Sequence, residues 1–152
     1  MLFVTIISLG LLAIVHGQCA LKTIAFSAAI DREQTFDANQ VVIYDIVITN
    51  HGNAYDNSTG LFTAPVDGMY SFQLNLLTIK EKEGWLELVH NGQLKVSVYA
   101  KQDSTYDSSS NSVIIKMKEG DRVNVRAHKK SGLFGRDDEL YNTFSGHFLS
   151  GL

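Results

Sequence analysis

The sequence predicts an all-β domain, a sandwich or barrel of about eight to ten short strands, with no helix after an N-terminal apolar segment. Three observations predict it. Tyr70, Phe72, Leu74 and Leu76 alternate with Ser71, Gln73 and Asn75, the period-two pattern of a half-buried antiparallel strand. Asn91-Gly92 separates two such runs, a pair suited to the positive φ angles of a tight hairpin. No sustained apolar pattern at i, i+3, i+4 and i+7 occurs after the N-terminal segment.

The elements follow in order. Leu2 to Val15 is nearly uninterrupted apolar sequence, shorter than the roughly twenty residues of a membrane span. With small residues after it, it reads as a secretory signal peptide, residues 1–17, cleaved after Gly17 and leaving no membrane span. Residues 18–23 form a short segment with Cys19, and residues 24–152 form the globular domain. "IAFSAAI" and "VVIYDIVIT" supply early strands. Gly68 is expected to turn the chain at positive φ into the strand that Tyr70 and Phe72 anchor in the core. Leu86 and Leu88 precede the Asn91-Gly92 turn, and Leu94, Val96 and Val98 follow it. Val113, Ile115 and Met117 run into "KEGD", where Gly120 takes the positive-φ position, and Val123, Val125 and Ala127 run out. Two polar loops are expected, Lys101 to Asn111 and His128 to Asn142, where a rigid β scaffold usually carries its binding residues.

Formal net charge is -3, from 13 basic and 16 acidic side chains. Lys129-Lys130 is the only lysine pair, far short of a nucleic-acid footprint. Cys19 is the sole cysteine, so it pairs with another chain or stays a free thiol. Asn57 heads the one N-x-S/T sequon and is the candidate glycosylation site.

No G-x-S-x-G elbow, H-E-x-x-H pair or D-x-D-x-D-G loop is present. His51, His90, His128 and His147 show no ligand spacing and read as ordinary strand or turn residues. Asp137 and Asp138 in "RDDE" offer oxygens to a calcium ion, although a solvated acidic loop is the plainer reading. A sugar site needs an aromatic platform beside polar groups, and Tyr106 or Tyr141 with Arg136 and Asp138 has that composition. A protein site needs a larger apolar patch, for which Leu133-Phe134 is the loop candidate.

The segment "NAYDNSTGLFTAPVDGMYSF" resembles the signature of the C1q domain, roughly Y-D-x-x-T-G-x-F-x-x-P-x-x-G-x-Y-x-F. Tyr55, Asp56, Thr59, Gly60, Phe62, Pro65, Gly68, Tyr70 and Phe72 fall in place. "AFSA", "VHNGQ" and "KMKEGDRV" resemble the first strand and central turns of that family. "TFSGHFL", with Phe144 and Gly146, resembles its closing F-S-G-F-L-L, with His147 where an aromatic or aliphatic residue is usual. The resemblance implies a ten-stranded jelly roll that assembles as a homotrimer, and calcium near the trimer axis in some members. It also implies a secreted, non-enzymatic, lectin-like recognition module of innate immunity that binds carbohydrate or microbial surface patterns. The alternative it offers is an extracellular protein-interaction ligand similar to the cerebellins, whose N-terminal cysteines join trimers.

Overall fold

A computed structural model describes residues 23–151. The predicted signal peptide and Cys19 lie outside the described residues. Twelve strands form, and no helix occurs among the described residues. They are β1 (Ala25–Ala29), β2 (Gln34–Phe36), β3 (Ile46–His51), β4 (Tyr55–Asp56), β5 (Leu61–Thr63) and β6 (Gly68–Leu77). Then come β7 (Glu83–His90), β8 (Gln93–Lys101), β9 (Ser108–Met117), β10 (Arg122–Ala127), β11 (Ser131–Leu133) and β12 (Thr143–Ser150).

Ten of the strands make two five-stranded sheets, ordered β3-β1-β12-β6-β9 and β4-β5-β10-β7-β8. β2 and β11 form a separate ribbon that the sequence pattern did not announce. β11 falls inside the stretch expected to be one loop from His128 to Asn142. Likewise β9 begins at Ser108, so the other expected loop shrinks to Gln102–Asp107. In both places the chain finds a backbone partner: Ser131 to Leu133 pair with Phe36 to Gln34, and Ser108 to Ser112 pair with Leu77 to Gln73. Serine-rich composition describes the exposed side chains, not the ladder beneath them.

The core lies between the sheets, and aromatic rings fill much of it. Phe26 stacks on Tyr55 at 4.7 Å and 6°, and lies 5.3 Å from Phe62, both rings coming from the opposite sheet. Phe144 meets Phe26 edge-on at 4.9 Å, and Phe62 meets Phe72 at 5.2 Å. Tyr70 and Phe72 are completely buried, as the alternation predicted, and so are Phe62 and Phe144. The Tyr70 hydroxyl donates to the Val66 carbonyl at 2.8 Å and the Tyr55 hydroxyl to the Tyr44 carbonyl at 3.0 Å. Each ring thus keeps its polar end satisfied while its body packs.

Gly68 corrects one expectation. It does not adopt positive φ; in this segment Gly60 does, at 72°. Gly68 instead opens β6 where a Cβ would strike the Phe148 ring and come within 2.5 Å of the Ser150 carbonyl. The turn before β6 needs no left-handed residue; the close approach of β12 needs an absent side chain. Gly146 is required for a related reason, since a Cβ there would sit 2.5 Å from Phe72 and 2.7 Å from Phe26.

The turns behave as predicted. Asn91 and Gly92 take φ of 49° and 80°, and Gly120 takes 86°. The two turns also touch. Asp121 Oδ2 accepts from the Lys118 amide at 2.9 Å and pairs with His90 Nε2 at 3.0 Å, while Oδ1 accepts from Asn91 Nδ2 at 2.8 Å. Asn91 Oδ1 in turn accepts from the Arg122 amide at 2.8 Å. The Lys118 amide above all, then the Asn91 amide and His90, hold the Asp121 carboxyl down to about 2, against a smaller opposing effect of burial.

Two predictions follow from this packing. Phe72→Ala should cost about 3–5 kcal/mol by chemical denaturation, whereas Ser71→Ala, on the other face of β6, should cost under about 0.5 kcal/mol in the isolated domain. Gly68→Val should lower the melting temperature and the yield of folded protein through overpacking against Phe148. Asp121 sets a pH dependence. Its folded pKa lies below its ordinary value of 3.8, so its stabilisation is complete above that value and is lost as pH falls through about 2. Melting curves of the parent and Asp121→Asn should therefore differ most near neutral pH and converge toward pH 2.

Candidate functional site

The candidate ligand residues come together only in part. Tyr106 and Tyr141, from different loops, both pack against Phe134, with ring centroids 4.8 Å and 5.9 Å from it. Tyr106 and Tyr141 stay 39% and 48% exposed, while Phe134 is 8% exposed and Leu133 is buried outright. Leu133-Phe134 is therefore no exposed apolar patch. Leu133 belongs to β11 and the core, and Phe134 is the floor under the two tyrosines.

Both loops are pinned from beneath. The buried Asn142 side chain accepts from the Leu77 amide at 2.9 Å and donates to the carbonyls of Leu77 at 3.0 Å and Phe134 at 2.5 Å. It welds the Tyr141 loop to the end of β6. On the other side, Asp107 accepts from the Lys101 amide at 2.8 Å, and its own amide donates to the buried Thr78 hydroxyl at 3.1 Å. That clamp closes the loop carrying Tyr106. Lys80 Nζ lies 5.0 Å from the Tyr106 ring centre. Beside Tyr141 runs an open groove lined by Asn75, Leu76, Leu77, Ser108, Ser109 and Ser110. An aromatic edge over a floor of hydroxyls and an amide is suited to a polyhydroxylated ring.

Arg136 is held within its own loop. Its guanidinium donates to Asp138 at 2.8 Å and lies 3.6 Å from Glu139, and these carboxylates keep it firmly protonated. Asp137 and Asp138 are exposed, and Asp138 already has its cation in Arg136. Among the described residues, no group of three or more His, Cys, Asp or Glu side chains is arranged to hold a metal ion. Asn57 is exposed in the turn between β4 and β5, with its amide donating to the Asp45 carbonyl at 3.1 Å.

The histidines divide. His51 and His147 are exposed on the first sheet, both opposite Ala25. His90 pairs with Asp121, and His128 Nδ1 contacts Glu87 at 2.6 Å. Glu87 is 5% exposed; burial opposes its ionisation, but bonds from Arg126 and His128 outweigh this and hold its pKa below the usual value. The sequence pattern does not announce this cluster, because Glu87 lies 39 residues before Arg126 and 41 before His128. Cross-strand register alone brings them together: Arg126 stands opposite Glu87.

The C1q domain family model matches residues 25–149, nearly all of the described chain. The chain belongs to the C1q domain family. Complement C1q tumor necrosis factor-related protein 6 of Mus musculus is 37% identical over 111 residues, covering 71% of this chain and 42% of that protein. Complement C1q tumor necrosis factor-related protein 3 of Homo sapiens is 34% identical over 128 residues, covering 83% and 51%. The chain thus spans about half the length of the curated relatives it matches. Among solved structures, the globular domain of zebrafish complement 1qA superposes with a TM-score of 0.72 at 19% identity, covering 85% of this chain and 99% of that one. The Eiger TNF of S. frugiperda follows with 0.67 at 11% identity, covering 86% and 95%. These likenesses identify the sandwich as the C1q/TNF jelly roll. No helix among the described residues is long and apolar enough to cross a membrane.

The pinning of the two loops is directly testable. Asn142→Ala removes the side-chain partner of the Phe134 carbonyl and the Leu77 amide, at about 1–3 kcal/mol for each group left unsatisfied, while the Leu77 carbonyl keeps its bond from the Phe134 amide. It should lower the melting temperature by several degrees and speed proteolysis in the segment 134–141.

Proposed function

We propose that this C1q-domain chain is a secreted, non-enzymatic recognition head, cleaved after Gly17, which binds carbohydrate on microbial or other cell surfaces through its loop end. The observation that carries the reading is the meeting of Tyr106 and Tyr141 over Phe134, beside the groove of Asn75, Ser108 and Ser110. The aromatic rings offer flat apolar faces, and the amide and hydroxyls offer paired donors and acceptors. Arg136, occupied by Asp138 and Glu139, favours a neutral sugar here over an acidic one. The neighbouring Asp137 adds negative charge that would repel an anion.

Self-association supports the same reading. The five strands of the β3-β1-β12-β6-β9 sheet contain one lysine, Lys116, and no aspartate, glutamate or arginine. Across its solvent face Thr49, Ser27, Ser145, Gln73 and Ser112 stand in register, and the next row ends on Ile114, 59% exposed. A broad face nearly free of charge fits the core of a protein interface, which excludes charged groups. A homotrimer built on the part of this face around Gln73 and Ile114, with the Asn75 groove left open at its edge, would place three sugar sites in one array, where avidity multiplies modest single-site affinity.

Screening the secreted protein on a glycan array, with and without calcium, tests the reading. At least one neutral glycan should bind, and Tyr141→Ala should weaken that binding about tenfold, or 1.4 kcal/mol, at unchanged melting temperature. Arg136→Ala should have the smaller effect. Absence of binding to any glycan would overturn the proposal. For assembly, light scattering should show a trimer that survives Cys19→Ser and dissociates in Ile114→Glu.

A further inference from the structure

The solvent face of the second sheet carries an aromatic and cationic surface that neither the loop site nor the fold requires. Along β7, Glu83, Trp85 and Glu87 fall on one face, opposite Lys101, Tyr99 and Ser97 of β8. The Trp85 and Tyr99 rings meet edge to face at 5.3 Å, and Tyr99 remains 48% exposed. The His128 ring lies 4.2 Å from the indole, fixed there by its bond to Glu87, and Lys129 Nζ stands 5.2 Å from the indole centre. Adjoining this pair is an open cleft lined by Lys82, Lys101 and Lys130, with Glu81 and Glu83 as its only carboxylates. With Lys129, four lysines face two glutamates, in a chain whose formal charge is -3. Glu87 adds no free negative charge, because Arg126 holds it at 2.8 Å.

We propose that this surface binds an anionic saccharide, whose ring packs against Trp85 and Tyr99 while its sulfate or carboxylate groups lie among Lys82, Lys101, Lys129 and Lys130. The pairing of features selects the ligand class. A neutral sugar would have no use for a local excess of lysine, and a bare inorganic anion would have none for two partly open rings. Lysines from three separate segments converge here, at a like-charge cost that an anion relieves. Lys129 already contacts the indole, so an anion held by Lys129 is placed beside the ring. The site does not depend on the loop reading: it lies on β7, β8 and the segment after β10, and its ligand carries opposite charge preference. In a trimer assembled through the uncharged sheet it would remain open to solvent.

Trp85 is the only tryptophan, so its fluorescence reports on this site alone. The purified protein would be titrated with chondroitin sulfate hexasaccharide, hyaluronan hexasaccharide and, as the neutral control, chitohexaose. A saturable fluorescence change with one or both anionic oligosaccharides, none with chitohexaose, and an apparent Kd that rises with added salt are expected. Lys101→Gln/Lys130→Gln should weaken anionic binding at least about tenfold and Tyr99→Ala at least about threefold, while Tyr141→Ala should leave it unchanged. Circular-dichroism melting checks each variant, and Lys129→Gln, at an exposed position, serves where the double variant fails to fold. Lack of response to both anionic ligands, an equal response to chitohexaose, or wild-type affinity in the lysine variants would overturn the proposal. Loss of anionic binding in Tyr141→Ala but not in the lysine variants would also overturn it, moving the anion to the loop end. Failure of the loop site on the neutral-glycan array would leave this one untouched.

Discussion

The sandwich depends on one aromatic cluster and on the side chain missing beside it. Phe26, on β1, stacks against Tyr55 and Phe62 of the facing sheet and meets Phe144 edge-on from its own. That arrangement needs space over β12, and Gly146 leaves it: any Cβ there would enter the Phe26 and Phe72 rings. Because β1 pairs with β12, and β12 with β6, the same contact joins the first, sixth and last strands of the described domain. The backbone therefore closes only once distant parts of the chain are in place, as expected of a jelly roll with few local contacts.

A second constraint divides labour between the two sheets. Both bury the same kind of inner face, yet their outer faces differ in charge. The sheet containing β12 and β6 is almost uncharged outside, whereas the sheet containing β7 and β8 bears lysines, glutamates, Arg126 and an open aromatic pair. Desolvating Ser and Thr against a second copy is cheap when their hydrogen bonds are already made, as in Ser27 with Ser145. Desolvating four lysines is not. The nearly uncharged face therefore suits contact with a second copy better than the lysine-bearing face does.

The loop end is ordered by polar groups that sit out of sight. Asn142 and Thr78 are fully buried, and each is bonded to main chain from an adjoining segment. Leaving them unpaired would cost free energy, so their bonds tie the loops that present Tyr106 and Tyr141 to the strands beside them. A recognition surface gains from this, since rings already in place lose less entropy on binding.

By itself the sequence determined the main strands, the Asn91-Gly92 and Gly120 turns, and the burial of Tyr70 and Phe72. These rest on period-two alternation and on local φ preferences, which operate within a few residues. It also carried the C1q signature from Tyr55 to Phe72. Tertiary structure alone decided the rest. Gly68 is needed because β12 crosses it, and not because of its own φ. Leu133 and Phe134 are buried because β11 pairs with β2. Arg136 turns to Asp138 because its loop folds back on itself. The Glu87, Arg126 and His128 cluster, and the lysines gathered beside Trp85, come from segments whose meeting is set by strand register. Register depends on how the whole set of inner faces fits together, and no short window of sequence contains that information.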